Sequence, residues 1–121
     1  MPKVARRLVI TAVLVLAAAL GVAALASAST SLSLKASKTA LKFNTKTLHA
    51  THGKVTIKMT NPGSTKHAIA IEGHGVDKDG KTVGKNKVST VTVTLKKGTY
   101  TFYCPVDGHK AAGMKGKLIV S

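Results

Sequence analysis

Alternation of apolar and polar residues is the feature that most constrains the fold of this chain. Every second residue of segment 54–60 is apolar and the others are Lys or Thr, and segment 90–95 repeats the pattern. Successive side chains of a strand point to opposite faces, so this two-residue period predicts antiparallel strands with one buried face and one solvent-exposed face. Shorter strands are predicted around Leu32/Leu34 and Leu41/Phe43 and at residues 67–72, 98–104 and 117–120.

Turn residues separate these segments. Asn61-Pro62-Gly63-Ser64 and Lys96-Lys97-Gly98 have the composition of turns, and the Gly- and Lys-rich residues 72–87 are predicted to form a surface loop. No segment shows a convincing helical period. Seven to eight short strands in about 90 residues predict an all-β Greek-key β-sandwich.

The first 28 residues have a different pattern. Basic residues at positions 3, 6 and 7 precede an apolar run at 8–25, and Ala26-Ser27-Ala28 supplies the small residues that a signal peptidase recognises. This order is typical of a secretory signal, although roughly 18 apolar residues are also long enough for a retained membrane anchor. We therefore predict a signal segment at 1–28, one domain at 29–121, and an exported protein that is extracellular, periplasmic or on the outer face of the cell membrane.

The predicted domain is strongly basic. Three of the 19 Lys and Arg residues lie in the first 28 positions and all four acidic residues lie beyond them, so residues 29–121 carry a formal net charge of +12. Such a charge affects solubility and encounter rates rather than the fold. Export separates the chain from nucleic acid, so we expect an acidic protein partner or an anionic surface instead. A solvated, lysine-rich exterior of a monomer without such a partner is the alternative.

Cys104 is the only cysteine, so this domain cannot form the internal disulfides on which small exported domains usually depend. A lone thiol in an oxidising compartment needs burial or a ligand. Strand parity places Cys104 on the inward face with Phe102, and His67 on the inward face with Ile69. The end of one antiparallel strand and the start of another can meet at one end of a sandwich.

His109 and Met114 follow Cys104 at intervals of five residues, each preceded by a glycine that allows a tight bend. Thiolate and imidazole ligands favour copper or zinc, and two His, one Cys and a weak axial Met are the ligands of blue copper electron-transfer sites. Structural zinc rarely uses a thioether. The spacing therefore indicates a copper site.

The segments NPGSTKH (61–67) and YTFYCPVDGHKAAGMKGKLIV (100–120) resemble the cupredoxins, the plastocyanin- and azurin-like blue copper proteins. The resemblance covers about residues 41–120. It implies that His67, Cys104 and His109 are the equatorial ligands and Met114 the axial ligand of one type 1 copper ion. It also implies one-electron transfer between larger redox partners, with copper cycling between Cu(II) and Cu(I).

Two positions depart from the family pattern. Many relatives carry Asn after the first ligand histidine to brace the ligand loop, whereas this chain has Ala68, with Ser64 and Thr65 as candidate substitutes. Many also have Pro where this chain has Asp107. An ionised carboxylate close to copper would favour the oxidised ion and lower the reduction potential.

Two surfaces are candidate ports for electrons. The edge of His109 is expected to be exposed, with Lys110 and Lys115 beside it to steer an acidic partner. Tyr103 faces away from the core, and the resemblance implies a second electron route through it; a packing role is the alternative. Small apolar residues surround the His109 edge in the sequence: Pro105, Val106, Ala111 and Ala112.

Two other functions compete with electron transfer. One is extracytoplasmic copper storage or delivery without a redox partner. The other is an enzyme with Cys104 as nucleophile, His109 as base and Asp107 orienting it, which we disfavour because Cys104 is predicted to face a core rather than a cleft. The three remaining histidines lie in polar turns without a matching partner and are not assigned to the site: His49, His52 and His74.

Overall fold

The structure is a computed structural model that describes residues 28–121. The signal segment, apart from Ala28, lies outside the described residues, so the signal and its cleavage stay predictions. Within residues 28–121, no helix is long and apolar enough to cross a bilayer. The described residues form eight strands: β1 (Ser29–Lys35), β2 (Thr47–Ala50), β3 (Gly53–Asn61), β4 (Ala70–Gly73), β5 (Val76–Asp79), β6 (Lys87–Leu95), β7 (Gly98–Tyr103) and β8 (Lys115–Val120).

The strands form two sheets, which confirms the predicted all-β sandwich. The small sheet has the order β1-β3-β6 and the large sheet has the order β2-β8-β7-β4-β5. The pairs β1–β3 and β2–β8 are parallel and the remaining pairs are antiparallel. The expectation of antiparallel pairing is therefore wrong for two pairs. Between β1 and β3 the chain crosses to the large sheet and forms β2 there. Such a crossover allows β1 and β3 to pair in parallel, which a hairpin connection does not.

The core lies between the sheets and follows the alternation in the sequence. Val55, Ile57 and Met59 on β3 are fully buried, and Val91 on β6 is 2% exposed. Phe102 is fully buried on the large sheet. Since burying a side chain of this size contributes about 1.5–3 kcal/mol, the inward residues of β3 stabilise the sandwich strongly.

Strand β5 was not expected, because it lies inside the predicted loop at 72–87. It pairs with β4 through the two-residue turn His74-Gly75, whose φ angles are 49° and 82°. Positive φ at both central residues is typical of a hairpin turn that matches the strand twist. The strand has the sequence VDKD, without a run of alternating apolar residues. It lies at the edge of the large sheet, where charged residues commonly protect the exposed backbone from pairing with other chains.

The predicted strand at Leu41/Phe43 is also wrong. Phe43 makes only an isolated bridge to Ala36, and Leu41 is 37% exposed. This segment carries the chain from the small sheet to the large one, so it cannot follow either ladder for long. Phe43 anchors the crossing by packing on Phe102, with 5.7 Å between the ring centroids.

Candidate metal centre

The candidate metal centre lies at one end of the large sheet. His67 precedes β4, where it forms a bridge with Val83, and Cys104 follows the last residue of β7. The first residue of β4 pairs with the last residue of β7, so the antiparallel ladder brings these two ends together. Met114 directly precedes β8, which pairs with β7. The predicted meeting of inward residues at one end of the sandwich is confirmed.

Three side chains converge there. The Nδ1 atoms of His67 and His109 lie 3.2 Å apart, and the Cys104 sulfur lies 3.8 Å from the first and 3.4 Å from the second. His67 is 1% exposed, Cys104 is fully buried and His109 is half-buried. Among the described residues, no other group of three His, Cys, Asp or Glu offers its ligand atoms so close together.

These distances fit a single metal ion between the three donors. With zinc–ligand lengths as a guide, about 2.0 Å to nitrogen and about 2.3 Å to sulfur, donors at angles of about 100–120° lie roughly 3.1–3.8 Å apart. The three observed distances fall within that range without side-chain movement. One thiolate and two imidazoles are a donor set that copper accepts well. The site is therefore compatible with one type 1 copper ion, with the buried Met114 available as a soft fourth donor.

Backbone hydrogen bonds hold the loop between β7 and β8. The Cys104 amide donates to the Met114 carbonyl (3.1 Å), and the Met114 amide donates to the His109 carbonyl (3.0 Å). The loop bends at Gly108 and Gly113, whose φ angles of 78° and 110° favour glycine. The loop therefore fixes three of the four candidate ligands relative to one another.

Asn61 braces the segment that precedes His67. It is fully buried, and its side-chain amide donates to the carbonyls of Thr65 (2.8 Å) and Val83 (3.0 Å) while its oxygen accepts from the Gly63 amide (3.1 Å). The bracing expected of the Ser64 or Thr65 side chains thus comes from Asn61, and Thr65 contributes its carbonyl. Sequence reasoning assigned Asn61 only to a turn.

Ala68 contributes its backbone to the site. Its amide donates to the Cys104 sulfur at 3.5 Å, and the residue is fully buried. Hydrogen bonds around a coordinating sulfur are among the features that tune a copper–thiolate site. An alanine side chain leaves that amide free of competition from a polar group.

The environment favours an uncharged imidazole at His67. Its pKa lies below the usual range, first because burial penalises the charged ring and second because a positive charge on His109 would repel it. A neutral imidazole is the form that binds metals. His67 is therefore poised to act as a ligand.

Tyr103 lies on the outer face of the large sheet, but it is covered rather than free. Its hydroxyl donates to Asp77 (2.9 Å), and the Lys110 ammonium lies 4.4 Å from the ring centroid while pairing with Glu72. Burial, followed by the hydrogen bond and charge of Asp77, raises the pKa of Tyr103. Lys110, which is expected to help steer an acidic partner, is thus paired with Glu72, and the steering itself stays a prediction.

Comparison with known proteins decides the family. A family model for the cupredoxin-like domain matches residues 9–120 of this chain. The chain belongs to the cupredoxin-like family. No curated protein sequence matches it.

Solved cupredoxin structures share the fold. Reduced auracyanin from the photosynthetic bacterium Roseiflexus castenholzii superposes with a TM-score of 0.67 at 24% identity, covering 78% of this chain and 98% of that one. Auracyanin A from Chloroflexus aurantiacus, described as a blue copper protein, superposes with a TM-score of 0.67 at 20% identity and covers 78% of this chain and 100% of that one. A variant of amicyanin in its Cu(I) form superposes with a TM-score of 0.56 at 20% identity and covers 75% of this chain and 82% of that one. At these identities the likeness shows a common fold.

Asp107 and the histidines that were not assigned to the site lie outside the group of three donors. Asp107 is exposed on the ligand loop. The histidines outside the centre have other contacts: His52 lies 3.1 Å from the Ser121 carbonyl and His74 packs against the ring of Tyr100. Neither of these two histidines joins the candidate centre.

Proposed function

We propose that this cupredoxin is a copper electron-transfer protein that exchanges single electrons with redox protein partners outside the cytoplasm. His67, Cys104, His109 and Met114 would hold the copper ion. The observation that carries this proposal is the convergence of one buried thiol and two imidazoles at metal-bridging distances. Bound copper would supply the Cu(II)/Cu(I) couple.

The surroundings of the site suit an electron carrier better than a copper-delivery protein. Cys104 and Met114 are fully buried and joined by a backbone hydrogen bond, and the buried amide of Asn61 holds the segment before His67. Ligands that are fixed before the metal binds change little between oxidation states, because their positions are set by packing and by the backbone. A delivery protein needs at least one ligand that is readily released.

His109 offers the shortest route between the site and the surface. It is half-buried, and its flanking Pro105 and Val106 are half-buried as well. Ala111 and Ala112 on the same loop are exposed. This small, mostly apolar surface would let a partner approach the imidazole edge closely.

The location and the partners belong to the same proposal. The signal-like residues 1–28 support export, and the solved neighbours include proteins described as auracyanin and amicyanin, one of them as a blue copper protein. The burial of Cys104 in the core supports a role without nucleophilic catalysis, since a nucleophile must reach its substrate.

The test is a Cu(II) titration of the purified protein followed by ascorbate, read by visible absorption. We expect an intense charge-transfer band that saturates at one equivalent, bleaches on reduction and returns on reoxidation. Cys104→Ser should abolish the band, whereas the control His49→Gln should leave it unchanged. A colourless ion whose binding survives Cys104→Ser would overturn the proposal. Ready loss of Cu(I) to a competing chelator would instead favour copper delivery.

A further inference from the structure

A groove of about 640 Å³ lies on the outer face of the large sheet. Its floor crosses three strands, because Thr47 on β2, Lys117 on β8 and Thr101 on β7 are neighbours in the ladder. Leu118 and Phe102 are fully buried on the opposite face, so these three floor residues point outward. The groove is thus built on the strands that also position the candidate metal centre.

The groove is strongly basic. Four lysines line it, and its only acidic residue is Glu72, which pairs with one of them, Lys110. Among the described residues, the structure records no ion pair for the three other lysines: Lys46, Lys115 and Lys117. These exposed cations share one concave surface, so they reinforce each other's attraction for an anion.

We propose that this groove binds an extended acidic segment of a protein partner. Lys115 and Lys117 stand on the same face of β8, about 6.8 Å apart at a rise of about 3.4 Å per residue. Carboxylates on alternate residues of an extended segment have the same spacing. Strand β8 lies between β2 and β7, so the segment would lie across the face of the sheet rather than extend its edge.

A protein segment fits this surface better than a membrane or a nucleic acid. The groove is concave, and Thr47 and Thr101 supply hydroxyls that can hydrogen-bond to a peptide backbone. A bilayer presents a broad, flat surface that meets only the rims of a groove. Single-stranded nucleic acid needs exposed aromatic rings for stacking, and the nearby Tyr103 is 9% exposed beneath Lys110.

The groove would place the partner beside the ligand loop. Gly113, which precedes Met114, lines the groove, and Lys115 pairs with Tyr103 in the ladder. A partner bound there would be held next to the candidate metal centre. The inference rests on the proposed function for the partner's redox role, whereas binding of the segment itself needs no metal.

The experiment measures the fluorescence anisotropy of a labelled peptide in which Glu and Ser alternate, in low salt. The test variant is Lys115→Gln/Lys117→Gln, and the matched control is Lys54→Gln/Lys58→Gln, which removes the same charge from the outer face of the small sheet. We expect the groove variant to weaken binding about fivefold or more and the control less than about twofold, because two specific ion pairs are lost only in the groove. Equal losses in both variants, or no binding by the original protein, would overturn the proposal.

Two further comparisons separate the groove from general charge attraction. A peptide with the same number of Glu residues in one uninterrupted block should bind more weakly than the alternating peptide, and equal affinity would contradict the spacing argument. Vesicles with anionic phosphatidylglycerol should bind the groove variant and the charge-matched control variant equally; much weaker binding of the groove variant alone would assign the groove to lipid. Measuring metal-free and copper-treated protein side by side keeps this result distinct from the test of the copper site.

Discussion

In the small sheet, β3 and β6 direct apolar residues inward, and the opposite face carries mainly Ser, Thr and Lys, such as Thr56 and Thr92, whose hydroxyls lie 3.0 Å apart. In the large sheet, the same inward alternation ends in loops that hold two imidazoles, a thiol and a thioether. The outer face of the large sheet also carries the Lys110–Glu72 pair and the basic groove. The alternation therefore builds both sheets, whereas the chemistry depends on how the strands of one sheet end.

Asn61 connects the two regions. It is the last residue of β3 in the small sheet, yet its side chain holds the carbonyls of Thr65 and Val83 next to His67. The small sheet thus supports the site through one buried amide, in addition to its share of the core. The predictions below change one region and follow the effect in the other.

The largest effect is expected from Ile57→Ala in the small sheet. Ile57 is fully buried, so the substitution should lower the free energy of unfolding by about 2–5 kcal/mol. The charge-transfer band of the copper-treated protein should keep its position and its stoichiometry, because no candidate ligand moves. Chemical denaturation and a visible spectrum of the same sample check both parts. A shifted band would show that the small sheet controls the site directly.

Asn61→Ala should affect both regions. Removing the side chain leaves the Thr65 carbonyl and the Gly63 amide without this partner, while the Val83 carbonyl keeps the His67 amide, at a cost of about 1–3 kcal/mol in unfolding free energy. The segment before His67 should also loosen, so copper should exchange faster with a chelator than in the unchanged protein. Asn44→Ala, which changes an exposed side chain bonded to the Lys35 amide, is the control and should exchange copper normally. Identical exchange rates in both variants would refute the bracing role.

Glu72→Gln tests the outer face of the large sheet. Glu72 and Lys110 are partly exposed, so the loss of their pair should change the free energy of unfolding by less than about 1 kcal/mol. The band should be unchanged, and the rate of electron exchange with an acidic partner should rise, because Lys110 becomes unpaired and the surface more positive. Stopped-flow kinetics at two salt concentrations measures this effect, and a slower rate would contradict it.

The smallest effect is expected from Asp107→Asn. Asp107 is exposed on the ligand loop, so its charge acts on the site through solvent. Two unit charges about 10 Å apart in water interact by roughly 0.4 kcal/mol, which corresponds to about 20 mV. Removing the negative charge should raise the reduction potential by about that much or less, since it no longer favours the oxidised ion. Voltammetry in low salt is the measurement. An unchanged or lower potential would show that Asp107 has no such influence.

The sequence predicted the sandwich and the meeting of His67, Cys104 and His109 because both follow from local patterns: strand parity and the spacing around a single cysteine. The roles of these residues as ligands stay a prediction. Strand β5 was missed because it is a charged edge strand without the alternation that marks a buried face. The bond from Asn61 to the Val83 carbonyl and the pairing of Lys110 with Glu72 were missed because they join residues that are 22 and 38 positions apart in the chain.

X-ray absorption spectroscopy of the copper-treated protein in both oxidation states tests the central claim most directly. We predict one copper bound to one sulfur at a short distance and to two imidazole nitrogens, with the same ligands retained after reduction. This result would establish a site held by the fold through a full redox cycle. A copper ion bound only by nitrogen and oxygen, or one that loses its thiolate or an imidazole on reduction, would contradict the account of a preorganised electron carrier.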